Sequence, residues 1–276
     1  MKIDICYITS TPHLNSHATL SDRHLCLAHK VLEDDKYAEF YGKQSNKYVI
    51  MDNSAFEFEE QGHGVSLDLV YDAAMKINPD EVCAIDVLFN GSDTVDSVKD
   101  FLKFWKRRNP LGFENTKFMA IPQGRSEDEW MKCYEELIRI DDVDVIGFSK
   151  LAVPESFIGN HHESGNCSSG RIKCLNALVS AKMTPDIFNK ELHLLGSDNV
   201  GVNELMYYYD NGWDFIRSND TSMPFVYGYN GSSIQDGYVD EIIMEKLNFD
   251  KKLNQKEIET VDHNFLVWKT IHLENK

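Results

Sequence analysis

Apolar and polar positions follow a repeating order along this chain: a short apolar run, a polar residue or glycine at its end, then a helical pattern. The runs are YVIMD ending at Asp52, EVCAID at Asp86, KFMAIPQ at Gln123, VDVIGFS at Ser149, LHLLG at Gly196 and WDFIRSND at Asp220. A first strand is predicted from about Ile3 to Ile8. Polar residues gathered at the carboxyl ends of successive parallel strands are typical of the active-site face of a (β/α) barrel.

Helical patterns fill the segments between these runs. The stretch from Leu67 to Ile77 has apolar residues spaced three and four apart, as on the buried face of a helix. Residues 21–34 and 171–182 are also predicted as helices, and C-terminal helices are predicted from about residue 237. The segment from Pro154 to Ser168 is predicted as a long loop and is a candidate lid, since long loops are often functional.

This alternation predicts an α/β fold: a single domain over residues 1–276, built as a TIM-type (β/α)8 barrel. About seven strand–helix units can be counted and an eighth strand is not obvious. An open, doubly wound sheet is therefore the alternative architecture.

Composition narrows the class of protein. The net charge of −17 does not favour a polyanionic partner, although basic clusters occur locally, as at Lys106, Arg107 and Arg108. No apolar run approaches the roughly 20 residues of a membrane span, and the N-terminus lacks a signal-peptide layout. The six dispersed cysteines suit buried free thiols, so we expect a cytoplasmic protein without membrane contact.

Two of the strand-end carboxylates could perform chemistry on a sugar. Asp220, in SNDTSMP, could attack an anomeric carbon to give a covalent glycosyl-enzyme, while Asp52, in MDNSAFE, could act as general acid or base. Local sequence alone favours a structural role in turns for both residues, because Asp beside Asn, Ser or Thr is common in turns.

Other strand-end residues suit the recognition of a flat heterocycle. Asp86 could accept hydrogen bonds from the N–H and amino group of guanine, and the Gln123 amide offers a donor and an acceptor for another edge. Gly124 would let a ligand approach the backbone, and Phe56 could stack on a purine, although a lone Phe more often belongs to a core.

Motifs for metals and nucleotide cofactors are not supported. The Cys167–Cys174 pair lacks ordinary zinc spacing, and the histidines at positions 13, 17, 24 and 29 form a loose group. The chain has no Walker A, G-x-G-x-x-G, G-x-S-x-G or HExxH motif. We therefore expect no metal and no cofactor.

In order and spacing, these segments resemble the queuine/archaeosine tRNA-ribosyltransferase (tRNA-guanine transglycosylase) superfamily. The resemblance covers about residues 50–225. Its segments are Asp52-Asn53-Ser54-Ala55-Phe56 for the family's DSGG-aromatic motif, Asp86 for its base-recognising aspartate, Ile121-Pro122-Gln123-Gly124 for VQGG, Gly147 with Leu151-Ala152-Val153-Pro154-Glu155 for GGLAVGE, Leu194-Leu195-Gly196 for LMGVG, and Asp220-Thr221-Ser222-Met223-Pro224 for DCVxPTR.

The resemblance implies a role for each matched residue. Asp220 would be the nucleophile and Asp52 the general acid/base. The implied substrate-binding residues are Asn53, Ser54, Phe56, Asp86, Gln123, Gly124, Gly147, Ser149, Leu151, Leu195 and Gly196. Among these, Phe56 and Leu195 would sandwich the heterocycle.

Departures from the family pattern bear on whether the expected substrate is DNA or tRNA. The family's zinc subdomain is absent from this sequence, Ser54-Ala55 replaces a glycine pair, and the arginine after Pro224 is missing. The short form looks more like the bacteriophage DNA 7-deazaguanine transglycosylases, which exchange guanine in DNA for a queuosine precursor such as 7-cyano-7-deazaguanine and so protect phage DNA from restriction. If the chain is phage-encoded, it would act in the host cytoplasm.

Alternatives stay open at this point. The chain could act on tRNA with the same chemistry, act as a glycoside or nucleoside hydrolase, or be a non-catalytic nucleic-acid-binding or partner subunit. The expected partners are DNA, or less readily tRNA, and a 7-deazaguanine base. The sequence does not decide between a monomer and a homo-oligomer, or whether a helper protein supplies basic surface.

Overall fold

Eight parallel strands form the centre of the protein in a computed structural model that describes residues 3–60, 64–108, 112–163, 165–235 and 246–273. The strands are β1 Asp4–Tyr7, β2 Arg23–Leu27, β3 Tyr48–Asp52, β4 Glu81–Cys83, β5 Lys117–Ala120, β6 Val145–Ser149, β7 Glu191–Leu195 and β8 Ile216–Thr221. They pair in the order β1-β8-β7-β6-β5-β4-β3-β2, which leaves β1 and β2 as the two ends of the sheet. The result is a nearly closed TIM-type α/β barrel, as the sequence predicted.

Helices surround the barrel and connect its strands. The α-helices of the described residues are α1 Leu14–His17, α2 Ala28–Glu33, α3 Asp35–Gly42, α4 Ala55–Glu60, α5 Leu67–Ile77, α6 Gly91–Arg108, α7 Glu127–Leu137, α8 Ala152–Ile158, α9 Asn166–Ala181, α10 Gly201–Asp210, α11 Met223–Tyr229 and α12 Gln255–Leu273. Short 3-10 helices cover Thr11–His13, Ala18–Leu20 and Pro185–Phe188. None of the helices in the described ranges is long and apolar enough to cross a bilayer.

The strand missing from the sequence prediction is β2. The predicted helix over residues 21–34 is wrong in its first half, because Arg23–Leu27 pairs in parallel with Tyr48–Asp52 and α2 begins only at Ala28. Pairing with β3 buries His24, Leu25, Cys26 and Leu27, and this tertiary burial outweighs the local helical pattern.

The predicted long loop from Pro154 to Ser168 is also wrong. Residues of its first part belong to α8, and α9 begins at Asn166 rather than at residue 171. Pro154 is accommodated because it lies in the first turn of α8, where proline is tolerated. Close packing joins the two helices, since a Cβ on Gly170 of α9 would lie 2.6 Å from the Pro154 Cα.

Smaller differences concern the ends of elements. Strand β4 ends at Cys83, three residues before the end of its apolar run at Asp86, whereas β8 continues one residue past Asp220. The predicted C-terminal helices from about residue 237 begin outside the described residues, and α12 is the described one.

Two apolar layers stabilise the barrel. The inner layer fills its interior and consists of Cys6, Leu25, Leu27, Ile50, Cys83, Met119, Ile121 and Val145. The outer layer lies between the strands and helices and contains large buried rings such as Trp130, Tyr134 and Phe148. All six cysteines are buried and free, as the sequence predicted. The interior is thus filled, and ligands can approach only its ends.

Candidate active site

Three carboxylates converge at the carboxyl end of the barrel. Asp52 ends β3, Asp86 follows β4 by three residues, and Asp220 is the penultimate residue of β8. Burial is the largest cause of the raised pKa of Asp52, and the charges of Asp86 and Asp220 raise it further. The three carboxylates therefore interact across one opening at the carboxyl end of the barrel, the mouth. The structure therefore brings together the predicted nucleophile, the predicted acid/base and the predicted base-recognising residue.

Asp220 is almost fully buried, and one of its oxygens is held by a side chain of β7 and by the first residue after that strand. The Gly196 N–H donates to Asp220 Oδ1 at 2.9 Å, and His193 Nε2 lies 3.1 Å from the same oxygen. Gly196 can offer its N–H because it adopts a φ of +72°, a conformation that glycine reaches without strain.

A β-bulge brings further polar groups beneath Asp220. The β7–β8 register passes from Leu192 opposite Ile216 to His193 opposite Ser218, which leaves Arg217 as an extra residue on β8. The Ser218 hydroxyl lies 2.7 Å from His193 Nδ1 and accepts a hydrogen bond from Arg217 Nε at 3.1 Å. The bulge therefore lets consecutive residues, Arg217 and Ser218, join one buried polar chain.

Asp86 is fixed by two buried amides. Asn53 Nδ2 donates to Asp86 Oδ1 at 2.9 Å, and Gln123 Nε2 donates to Asp86 Oδ2 at 2.6 Å. Burial raises the pKa of Asp86 to about 6, while both amide hydrogen bonds act in the opposite direction. A carboxylate has about four acceptor positions, so Asp86 can still accept hydrogen bonds from a ligand.

The side-chain amides of Asn53 and Gln123 bond within the protein and orient Asp86. Gln123 Oε1 accepts from the Phe89 N–H at 3.0 Å, which directs its amide nitrogen towards Asp86. Asn53 Nδ2 also donates to the Ala84 carbonyl at 2.6 Å, and Asn53 Oδ1 accepts from the Ala55 N–H at 2.7 Å. Both hydrogens and the oxygen of the Asn53 side-chain amide are thus hydrogen-bonded within the protein.

The environment of Asp52 disfavours its ionised form. Burial first, and then the carboxylate of Glu57, raise its pKa well above the usual value, although the Ser54 N–H donates to Asp52 Oδ1 at 2.7 Å. Burial also raises the pKa of Glu57 itself. Two carboxyl groups in such an environment do not readily ionise together, so the doubly ionised form of the pair is disfavoured.

Ser54 occupies a conformation that normally favours glycine. Its φ is +64°, in the left-handed region. The Ser54 hydroxyl lies 2.8 Å from His29 Nδ1 and accepts from the His29 N–H at 3.3 Å. These contacts offset the backbone strain and give Ser54 a structural role.

Two of the predicted substrate-binding glycines lie where an added side chain would meet close neighbours. A Cβ on Gly124 would lie 2.5 Å from the Trp130 backbone nitrogen of α7, so its missing side chain faces a helix. A Cβ on Gly147 would lie 2.7 Å from Met119 Sδ and 2.9 Å from Leu195 Cδ1, inside the barrel. Both let elements approach closely around the mouth.

The remaining predicted residues surround the mouth. Ser149 accepts hydrogen bonds from the backbone N–H groups of Leu151 at 3.1 Å and Ala152 at 3.2 Å, at the start of α8. Leu195 is half-buried on the same strand as His193, while Phe56 is exposed, with Lys246 Nζ 5.1 Å from its ring centre. Phe56 and Leu195 therefore have the exposure that contact with a ligand needs.

Arg171, on α9, supports this end of the barrel and has no counterpart in the sequence prediction. Its fully buried guanidinium donates to the carbonyls of Phe148, Leu195 and Gly196, with Gly196 O at 2.9 Å, and lies 3.6 Å from Glu204. It holds the strand-end peptides beside Asp220.

Sequence analysis missed His193, Arg217 and Glu57 as well. A signal for His193 was present, because it lies two positions before Leu195 and so on the same face of a strand. Arg217 gave no such signal, since its inward position depends on the bulge.

No group of three or more metal-ligating side chains occurs among the residues that the structure describes. Comparison with models of known protein families and with curated proteins finds no match for this chain. Functional inference therefore depends on the site geometry and on the family-like segments.

Proposed function

We propose that this protein is a transglycosylase that exchanges guanine in DNA for a 7-deazaguanine through a covalent glycosyl-enzyme. The observation that carries the proposal is the pairing of two preorganised carboxylates at one mouth. Asp220 has one oxygen fixed by Gly196 and His193, and Asp86 is fixed by Asn53 and Gln123. The first suits attack on a sugar carbon, and the second suits recognition of a guanine-like edge.

In the first half of the reaction, Asp220 attacks C1′ of the target nucleotide. The C1′–N9 bond breaks with its electron pair leaving on guanine, which takes a proton from Asp52, and an ester forms between C1′ and Asp220. The raised pKa of Asp52 supports this role, because it favours the protonated form that a general acid needs.

The second half reverses these steps with a different base. A 7-deazaguanine enters the same pocket, gives its N9 proton to Asp52 and forms a new bond to C1′. The electron pair of the C1′–O bond returns to Asp220, and the configuration at C1′ is retained. No external oxidant or reductant takes part in this exchange.

Recognition of the base would use the free acceptor positions of Asp86. Guanine and 7-deazaguanines share the N1–H and the 2-amino group, so one carboxylate can bind both the leaving and the entering base. Phe56 and Leu195 would contact the ring faces. The target nucleotide must leave the duplex stack, or be single-stranded, to reach this pocket.

DNA is proposed over tRNA because the family-like segments, without the zinc motif, resemble the bacteriophage branch of the superfamily. The test is incubation with labelled 7-cyano-7-deazaguanine and either duplex DNA or tRNA. We expect label in DNA, no label with Asp220→Ala, and normal labelling with the matched control Asp35→Ala, whose carboxylate is 95% exposed on α3.

Each of the other outcomes would indicate a different function. Label only in tRNA would support the proposed mechanism with tRNA, rather than DNA, as the substrate. Release of free base without incorporation would indicate a hydrolase. Labelling by Asp220→Ala would contradict the assigned nucleophile, and no reaction at all in the folded protein would favour a binding or partner role.

A further inference from the structure

We infer that His193 is a positioning residue that fixes Asp220 as a nucleophile, through a directional hydrogen-bond chain running from Arg217 through Ser218 to His193. The inference rests on the proposed function for its kinetic consequences. The chain itself is a property of the protein: Arg217 Nε to Ser218 Oγ is 3.1 Å, Ser218 Oγ to His193 Nδ1 is 2.7 Å, and His193 Nε2 to Asp220 Oδ1 is 3.1 Å.

The direction of the chain follows from the donors available. A guanidinium has hydrogens and no acceptor, so Arg217 must donate to Ser218. Burial lowers the pKa of His193, although the hydrogen bond to Asp220 acts against this, so we take the ring as neutral with one N–H. If that hydrogen were on Nδ1, the Nε2 lone pair would face the Asp220 oxygen.

A lone pair against an ionised carboxylate oxygen in a buried site is repulsive. The hydrogen therefore belongs on Nε2, and Nδ1 accepts the Ser218 hydroxyl hydrogen. Asp220 thus selects the histidine tautomer and the Ser218 hydroxyl complements it, since the partner of one ring nitrogen generally sets the state of the other.

This arrangement distinguishes the two oxygens of Asp220. Oδ1 accepts from the Gly196 N–H and from His193, and no donor to Oδ2 occurs among the described residues. Oδ2 is then the oxygen that bonds to C1′, and Oδ1 becomes the carbonyl oxygen of the ester. When the ester breaks, charge returns to the carboxylate, and the same two donors stabilise it.

The experiment compares His193→Leu, which has no donor, with His193→Gln, whose amide can donate. For His193→Leu we expect kcat to fall about 10²-fold, with the KM for the 7-deazaguanine changed less than about twofold, because the lost donor acts on the reacting carboxylate. His193→Gln should recover at least about tenfold of that loss. Equal rates for the two variants, or an effect confined to KM, would overturn the positioning role.

A second measurement does not depend on turnover. The side-chain ¹⁵N spectrum of histidine-labelled protein reports the tautomer, and the His193 signals are those missing from His193→Gln. We expect a protonated Nε2 and an unprotonated Nδ1 at neutral pH, and a protonated Nδ1 would overturn the inference. If the unaltered protein exchanges no base, the proposed function fails, while the spectrum still decides the hydrogen-bond chain.

Discussion

At the scale of single residues, Asp86, the residue proposed to recognise the base, has a pKa close to neutrality. Its carboxylate is nearly buried, and burial raises its pKa to about 6. Only the ionised form can accept hydrogen bonds from the guanine edge with both oxygens. Binding of a 7-deazaguanine should therefore require a deprotonated Asp86.

This requirement predicts the pH dependence of base binding. As the pH falls below about 6, the ionised fraction of Asp86 falls, so the Kd of the base should rise by up to about tenfold per pH unit. The measurement is calorimetric titration of 7-cyano-7-deazaguanine into Asp220→Ala, which separates binding from turnover. Asp86→Asn should bind weakly at every pH, and an unaltered slope in that variant would assign the titration to another group.

Sequence analysis could find the residues whose role depends on position along a strand. Asp52, Asp86 and Asp220 each end an apolar run, so the parallel-sheet rule alone predicted that they meet. It could not find how they are held. Asn53 donates to Ala84 and Asp86 because the ends of β3 and β4 lie next to each other in the barrel. The local sequence around Asn53 does not specify this contact.

At the scale of elements, close approach between a strand end and a helix shapes the mouth. Gly124 follows the residue that orients Asp86, and its missing side chain faces the first turn of α7, 2.5 Å from the Trp130 nitrogen. The sequence interpretation assigned this glycine to ligand approach, because a pattern of residues does not say which neighbour needs the space. The structure gives it a helix as its neighbour.

Gly124→Ala should therefore destabilise the fold. The atoms in contact with the added methyl group are backbone atoms that cannot rotate away, so we expect a loss of about 3 kcal/mol in the free energy of unfolding, measured with urea. Gly64→Ala is the matched control, because nothing lies within 4 Å of its Cβ position and its change should stay within about 0.5 kcal/mol. Equal stabilities of the two variants would contradict the packing role.

Elements were predicted best where a periodic pattern coincided with burial. Helix α5 was recovered over Leu67–Ile77 because its apolar spacing matches its buried face. Strand β2 was missed because its pairing with β3 is decided by the barrel rather than by the residues of Arg23–Leu27. The same holds for α8, where Pro154 suggested a loop but lies in the first turn of a helix that begins at Ala152.

At the scale of the whole molecule, the amino end of the barrel is closed by a polar cluster. The Arg217 guanidinium donates to Glu81 at 2.8 Å and 3.1 Å and to Glu191 at 2.9 Å, and the Tyr48 hydroxyl donates to Glu81 at 2.7 Å. This cluster joins strands β3, β4, β7 and β8 across the interior. Because Arg217 also donates to Ser218, the same residue supports the barrel and the chain beneath Asp220.

The cluster predicts a large effect of Glu81→Gln on stability. Glu81 is fully buried, so removing its charge leaves Arg217 partly unpaired in the interior, and breaking such a pair costs about 3 kcal/mol. Lys117→Met is the matched control: Lys117 also contacts Glu191, at 2.8 Å, but is 40% exposed, and its loss should cost less than about 1 kcal/mol. Urea unfolding of both variants measures the difference. If Glu81→Gln proved as mild as Lys117→Met, the buried cluster would not hold the barrel together, and its link to Asp220 would have to be tested through Ser218 alone.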